Sequence, residues 1–111
     1  MLSAAAFARV FAGAKRSRDK CFTVLCRSNE KNVARLGLAI SKKNCRAATQ
    51  RNRLKRIARE SFRGNQELLK GLDVVVINQP AARSRSNREI FDSLHGHWEQ
   101  CARAREQVAK E

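Results

Sequence analysis

Residues 51–63 read RNRLKRIARESFR, a run of positive charge with a helical period. At about 100° per residue, one side of such a helix is apolar or small and is formed by Leu54, Ile57, Ala58 and Ser61, with Phe62 at its edge. The opposite side is polar and basic and is formed by Asn52, Arg56, Arg59 and Arg63, flanked by Arg51, Arg53 and Lys55. A helix that buries one stripe and offers this many guanidinium groups to solvent is suited to bind a polyanion.

Strand-like segments lie on both sides of this basic helix, which we predict over roughly residues 47–63. Residues 35–41 (RLGLAIS) alternate, and the positions expected to point inward are Leu36, Leu38 and Ile40. Residues 72–78 (LDVVVIN) form a continuous apolar run, which is typical of a strand buried on both faces. A strand, helix, strand passage predicts a crossover that lays the basic helix on one face of a sheet.

The first third of the chain predicts a helix and a strand. Ser3 is a suitable N-cap for a helix that ends at Gly13, and its apolar positions are Phe7, Val10 and Phe11. Residues 14–19 are polar and basic and indicate a turn or a short edge strand. Residues 20–27 (KCFTVLCR) favour a strand with Phe22, Val24 and Cys26 on one face, followed by a hairpin loop over residues 28–34.

The last third predicts a loop and a final helix. Residues 81–87 are predicted as a loop, with Asn87 as N-cap, and the helix from about Arg88 has its apolar positions at Ile90, Phe91, Leu94 and Trp98. The predicted order is therefore α-β-β-α-β-α, with an extra edge strand near residues 15–18. We predict one domain over residues 1–111, an α+β sandwich with one mixed sheet and helices packed against it.

The charge of the chain is concentrated in its first part. The formal net charge is +14, and residues 1–63 carry 17 Lys or Arg against 3 acids, whereas residues 64–111 carry 7 against 7. Such a division predicts one charged face and, as its partner, nucleic acid. A membrane surface is the weaker alternative, because the basic helix lacks the bulky apolar face that anchoring requires.

Several other classes of protein are disfavoured. Residues 1–13 lack a basic region ahead of their apolar run, and Arg9 interrupts that run, so we do not expect a secretory signal. The cysteines are Cys21, Cys26, Cys45 and Cys101, which contain no C-x-x-C pair and are most simply reduced thiols of a cytoplasmic protein. His95 and His97 are two residues apart and fall on different sides of a helix, so no metal site is expected.

The segment SKKNCRAATQRNRLKRIARESFR, residues 41–63, resembles the protein subunit of bacterial ribonuclease P, whose signature is an SKK strand end followed by an RNR helix. The helix with Phe7 and Phe11, the strand at residues 35–38 and the strand at residues 73–76 follow in the family's order. The resemblance thus covers most of the chain. It implies a four-stranded mixed sheet and a left-handed β-α-β crossover through the basic helix, although the general rule is right-handed.

The resemblance also implies a function and a set of binding residues. The family binds the catalytic RNA and the single-stranded 5′ leader of precursor tRNA, and the cut removes that leader. Matched residue by residue, the positions facing the RNA subunit would be Arg51, Asn52, Arg53, Lys55, Arg56 and Arg59, and Arg46 adds a charge to the preceding turn. The leader cleft would be lined by Phe7, Phe11, Lys42 and Lys43. For Phe7 and Phe11, packing in the core is an equally open alternative.

No catalytic residues are expected on the chain itself. Its acids are scattered along the sequence, whereas metal-assisted cleavage of a phosphodiester needs grouped carboxylates. The resemblance implies that Mg²⁺ is held mainly by the RNA and that no obligate protein partner is needed. Two alternatives stay open: a small basic ribosomal protein that binds rRNA, which shares the size, charge and scaffold, and a nucleoid protein that places the helix in the major groove of DNA.

Overall fold

The structure is a computed structural model that describes the backbone of residues 2–110 and the side chains of residues 2–105. Within that part the elements are, in order, α1 (Ala4–Gly13), β1 (Lys15–Arg18), β2 (Phe22–Ser28), β3 (Arg35–Ala39), α2 (Ala48–Arg63), β4 (Leu72–Asn78), a 3-10 helix (Pro80–Ser84) and α3 (Asn87–Lys110). The prediction of an α+β fold with one mixed four-stranded sheet is confirmed, and the edge strand at residues 15–18 is present. No helix of the described residues combines the length and the apolar character needed to cross a membrane.

Strand β4 lies inside the sheet because it is apolar on both faces. The strand order is β1-β2-β4-β3, with β4 antiparallel to β2 and parallel to β3. On one face, Val74 and Val76 belong to the main core with α2 and α3. On the other face, Val75 packs with Leu25 of β2 and with α1. The crossover from β3 through α2 to β4 therefore places the basic helix on one side of the sheet and α1 on the other.

The predicted hairpin between β2 and β3 is wrong. Strand β2 pairs with β4, and β3 lies on the far side of β4, so residues 29–34 pass across the beginning of β4. The loop is held there by backbone bonds: the Asn29 N–H donates to the Gly71 carbonyl (2.9 Å), and the Gly71 N–H donates to the Val33 carbonyl (3.2 Å). Gly71 has φ of 85°, a conformation that favours glycine. A strand as apolar as β4 gains more by taking the interior position than β3, which keeps several half-buried residues.

The segment before α3 also differs from the prediction. Residues 80–84 form a 3-10 helix rather than an open loop, with Pro80 at its start. The helix α3 begins at Asn87, but its cap is Ser86: the Ser86 hydroxyl accepts a bond from the Glu89 N–H (3.2 Å), and Glu89 Oε1 accepts one from the Ser86 N–H (3.1 Å). This reciprocal pair is a capping box, so Asn87 is not the N-cap.

Candidate nucleic-acid interface

The rotation of α2 is fixed by its apolar stripe, as predicted. Leu54, Ile57 and Ala58 are buried in the core between α2, α3 and the sheet. Ser61 is also buried, and its hydroxyl accepts a hydrogen bond from the indole N–H of Trp98 on α3 (2.8 Å). The Trp98 ring in turn makes an edge-to-face contact with Phe62, with 6.2 Å between the ring centroids. Since this stripe cannot turn outward without opening the core, the opposite side of α2 must face solvent.

The outward side of α2 carries positive charge that the protein itself does not neutralise. Its exposed residues are Asn52, Arg56, Arg59 and Arg63. Among the described residues, no ion pair or side-chain hydrogen bond involves the guanidinium groups of Arg56, Arg59 or Arg63. We call these four residues the basic face of α2. Its guanidinium groups are free to make forked bonds to phosphate oxygens.

Two arginines predicted for the same surface are instead bonded within the protein. Arg53 donates through Nε to Gln50 Oε1 (2.8 Å) and through Nη1 to Asn87 Oδ1 (2.6 Å), and its Nη2 approaches the carbonyls of Arg83 and Arg85. It is half-buried and ties α2 to the start of α3. Sequence periodicity could not reveal this role, because three of the four partners are some thirty residues away and two of them are backbone carbonyls.

Arg51 holds the turn that precedes α2. Its Nη1 donates to the carbonyls of Cys45 (3.0 Å) and Arg46 (2.6 Å). The Arg46 side chain itself is exposed beside the start of the helix, and Lys55 is half-buried. Of the seven residues predicted to contact an RNA subunit, the structure therefore leaves Arg46, Asn52, Arg56 and Arg59 most open to solvent.

The SKK turn after β3 is held by a buried asparagine that the sequence analysis missed. Asn78, at the end of β4, has no exposed surface. Its Oδ1 accepts the Ser41 N–H (2.7 Å), its Nδ2 donates to the Ser41 carbonyl (3.3 Å), and its own carbonyl accepts Asn44 Nδ2 (2.8 Å). These bonds fix the turn so that Lys42 and Lys43 are exposed. The only sequence signal was a polar residue at the end of an otherwise apolar strand.

The aromatic pair of α1 forms one continuous patch. The rings of Phe7 and Phe11 are stacked, with 6.4 Å between centroids and 15° between planes. The stripe that buries α1 is formed by Ala6 and Val10, while Phe7 is half-buried against the sheet and Phe11 is 56% exposed. Phe7 is therefore partly a core residue. Phe11 is not, and its ring presents a flat apolar surface to solvent.

The same face of the sheet carries two further arginines that the sequence analysis did not assign. In the β1–β2 register Arg16 pairs with Leu25 and Arg18 with Thr23, so both share the side of the sheet on which α1 packs. Both are exposed. Residues two apart in a strand point to the same face, so this spacing is the sequence signal for the pair if residues 15–18 form a strand. We call the set formed by Phe7, Phe11, Arg16 and Arg18, together with Lys42 and Lys43 of the turn after β3, the α1 surface.

The carboxylates of the described residues do not fit a protein-held magnesium site. Asp73 is engaged by the guanidinium of Arg35 (2.7 and 2.8 Å) and by Asn29 Nδ2 (3.0 Å). Asp19 Oδ1 accepts the backbone N–H groups of Cys21 and Phe22 (2.9 Å each). Among the described residues, no three or more His, Cys, Asp or Glu side chains lie where they could share a metal ion. The oxygen ligands that Mg²⁺ prefers are therefore not assembled among the described residues.

Comparison with known proteins identifies the family of this chain. The model of the family Ribonuclease P matches residues 1–102. The ribonuclease P protein component of Thioalkalivibrio sulfidiphilus is 45% identical over 92 residues, covering 83% of this chain and 77% of that protein, and that of Vibrio campbellii is 42% identical over 97 residues, covering 87% and 82%.

Solved structures agree with the sequence matches. The ribonuclease P protein of Staphylococcus aureus superposes with a TM-score of 0.79 at 29% identity, covering 86% of this chain and 88% of that one. The protein from Thermotoga maritima, solved with 1-(4-fluorophenyl)-2-thiourea, gives a TM-score of 0.77 at 32% identity, covering 84% and 91%. This chain belongs to the ribonuclease P protein family.

Proposed function

We propose that this chain holds two RNAs on two separate surfaces. The basic face of α2 binds the RNA subunit of ribonuclease P, and the α1 surface binds the 5′ leader of precursor tRNA. The single observation that carries this proposal is the position of the two surfaces, because α2 and α1 pack on opposite faces of one sheet. One protein can then contact both RNAs without either blocking the other.

The basic face of α2 suits a folded RNA. Its arginines project from a helix whose rotation is fixed by the core, and none of the ion pairs of the described residues involves them. Forked guanidinium bonds to phosphate and stacking on exposed bases are the contacts that a structured RNA surface accepts. We include Arg46, and we place Arg51 and Arg53 behind this face, where they hold it in shape.

The α1 surface suits a single strand. A single strand needs a track of positive charge and a flat surface on which unstacked bases can lie. The stacked pair of Phe7 and Phe11 supplies the flat surface. Lys42 and Lys43 follow β3, at one edge of the sheet, and Arg16 and Arg18 lie on β1, at the other. We add these two arginines to the proposed path of the leader.

The proposed contribution of the protein is binding and orientation. The assembled enzyme hydrolyses one phosphodiester bond and leaves a mature 5′ end on the tRNA, and Mg²⁺ bound by the RNA supplies the metal-ion chemistry. The chain's own residues hold the leader beside the RNA subunit, which raises the affinity for precursor over mature tRNA. We expect the isolated chain to be inactive and the assembly to work in the cytoplasm without an obligate protein partner.

Reconstitution tests this function. Purified chain is added to ribonuclease P RNA at a Mg²⁺ concentration too low for the RNA alone, and cleavage of precursor tRNA is followed. We expect strong stimulation, because cations on the protein replace part of the screening that Mg²⁺ otherwise provides. A chain that binds rRNA as a ribosomal protein would give no stimulation, and this result would reject the proposal.

Paired variants test the division between the two surfaces. Phe11→Ala should weaken binding of precursor tRNA to the assembled enzyme by about 1 kcal/mol, roughly fivefold, and leave mature tRNA unaffected, because only the leader loses a stacking surface. Arg56→Ala with Arg59→Ala should instead weaken assembly with the RNA subunit. If both variants impaired the same step, the two-surface arrangement would be wrong.

A further inference from the structure

Two cysteines that the proposed function does not use lie on β2 and α3, in one core cluster and on the wall of one cavity. Cys26 of β2 and Cys101 of α3 are 4% and 1% exposed, and both belong to the main core. Both residues line the same cavity. Neither forms a disulfide in the structure.

The pKa values of the two thiols are shifted in opposite directions. A Cys26 thiolate can accept a hydrogen bond from the Cys101 thiol, which lowers the pKa of Cys26 although burial opposes this, and the cation of Lys15 lowers it further. The same hydrogen bond, together with burial, raises the pKa of Cys101. Cys26 is therefore the better nucleophile of the pair, and Cys101 keeps its proton until Cys26 has reacted.

A cavity borders both cysteines. It has a volume of about 570 Å³ and is lined by both cysteines. Its wall also includes Lys15, Arg27 and Arg105. A peroxide molecule is little larger than water, which occupies about 30 Å³ in the liquid, so it fits with room to spare. The Lys15 cation stabilises the Cys26 thiolate.

The other two cysteines lack this combination. Cys21 is next to Asp19, and burial and that carboxylate both raise its pKa. Cys45 is buried in the turn before α2, where its thiol donates to the Ala47 carbonyl. Neither residue lines the cavity that reaches Cys26 and Cys101.

We propose that Cys26 and Cys101 form a peroxide-reactive dithiol that closes into a disulfide between β2 and α3. The Cys26 thiolate attacks one oxygen of hydrogen peroxide, the O–O bond breaks, and the departing hydroxide takes up a proton, giving Cys26 sulfenic acid and water. The Cys101 sulfur then attacks the Cys26 sulfur, its proton leaves with the hydroxyl group as a second water, and the S–S bond forms. Two thiols are oxidised and one peroxide is reduced to two waters.

The disulfide would join residues far apart in the chain. It closes the loop from residue 26 to residue 101, which contains β3, α2 and β4. Such a long closed loop restricts the unfolded chain strongly, so the oxidised protein should unfold at a higher temperature than the reduced one. Because the cytoplasm keeps most thiols reduced, the bond would form under peroxide and be reversed by thiol reductants.

The test uses the folded, full-length chain, reduced and freed of reductant and then exposed to a small molar excess of hydrogen peroxide. Trypsin separates the cysteines into peptide 21–27, with Cys21 and Cys26, peptide 44–46, with Cys45, and peptide 89–103, with Cys101. The matched control is Cys21→Ser, which leaves Cys26 as the one cysteine of its peptide. We expect a product lighter by two hydrogen atoms, a reductant-sensitive link between peptides 21–27 and 89–103 in both proteins, and a higher unfolding midpoint after oxidation.

Three results would overturn the proposal. The first is loss of the link in Cys21→Ser, which would assign the bond to Cys21. The second is a link that forms only after the protein is unfolded in denaturant. The third is oxygen added to Cys26 without any link to Cys101. Since Cys21→Ser alone distinguishes the pairings, the outcome does not depend on whether Cys26→Ser folds.

Discussion

The carboxylate of Asp73 shows how one residue stabilises the end of the sheet where β3 and β4 begin. It is 6% exposed and receives two bonds from Arg35 and one from Asn29. Burial by itself would raise the pKa of this carboxyl, but the hydrogen bonds from Arg35 and Asn29 outweigh burial and lower it. A carboxyl with a lowered folded pKa stabilises the fold above its unfolded pKa of about 4, and this stabilisation is lost as the pH falls through the folded pKa.

Asp73→Asn should therefore lower the free energy of unfolding by about 2 kcal/mol at pH 7, because it removes charge-assisted bonds and leaves Arg35 unpaired. Arg35 keeps 24% of its side chain exposed, which limits the cost. Denaturant unfolding at several pH values measures the effect, and the difference from the wild type should shrink below about pH 4. The control is Asp92→Asn on the exposed side of α3, which should change little. Equal stability of Asp73→Asn and wild type at pH 7 would contradict this role.

Arg53 and Arg59 are both arginines of α2, yet the structure gives them different roles. Arg53→Ala should reduce the free energy of unfolding by about 1 kcal/mol, because it breaks the bonds that connect α2 with Asn87 and the 3-10 helix. Arg59→Ala should leave stability unchanged and weaken RNA binding, since its side chain is exposed. Thermal unfolding of the two variants compares them directly. A destabilised Arg59→Ala protein, or an Arg53→Ala protein as stable as the wild type, would be the opposite of this expectation.

At the scale of elements, the approach of α1 to β3 depends on one glycine. A Cβ atom at Gly37 would lie 2.5 Å from Phe7 Cζ and 2.9 Å from Leu2 Cδ1, so Gly37→Ala must displace both side chains. We expect a loss of about 1–2 kcal/mol in stability and weaker binding of precursor tRNA, because the Phe7 ring is displaced. Gly96→Ala in α3 is the matched control: nothing lies within 4 Å of its Cβ, and it should stabilise the protein by about 0.5–1 kcal/mol. If both substitutions stabilised the protein, the close packing of α1 would be refuted.

The elements also show which features a sequence can predict. Faces set by periodicity within one segment, such as the buried stripe of α2, and strands marked by continuous apolar runs, such as β4, were predicted correctly because the signal is local. The pairing of β2 with β4 and the bonds of Arg53 and Asn78 were missed, since each depends on which distant segments meet. The position of Arg16 and Arg18 could be predicted only in part. Their spacing puts them on the same face of a strand, but only the register with β2 shows which face of the sheet this is.

At the scale of the whole molecule, the positive charge is divided between two sides of one thin sheet. The basic face of α2 lies on one side, and α1 with Arg16 and Arg18 lies on the other. Each added cation increases self-repulsion in the folded state, which an anionic partner bound on that side relieves. Positive charge on both sides therefore supports the two RNA contacts that we propose.

Salt dependence separates charge from stacking on the α1 surface. Each phosphate contact to a single strand contributes a slope of about 0.7 to the fall of log affinity with log salt concentration. Lys43→Ala should reduce the slope for precursor tRNA binding to the assembled enzyme by about that amount, because one exposed cation is lost. Phe11→Ala should lower the affinity at every salt concentration and leave the slope unchanged, since a ring releases no counterions. Equal slopes for Lys43→Ala and the wild type would show that this lysine does not contact the leader. A reduced slope for Phe11→Ala would show that the ring positions charged groups rather than stacking on a base.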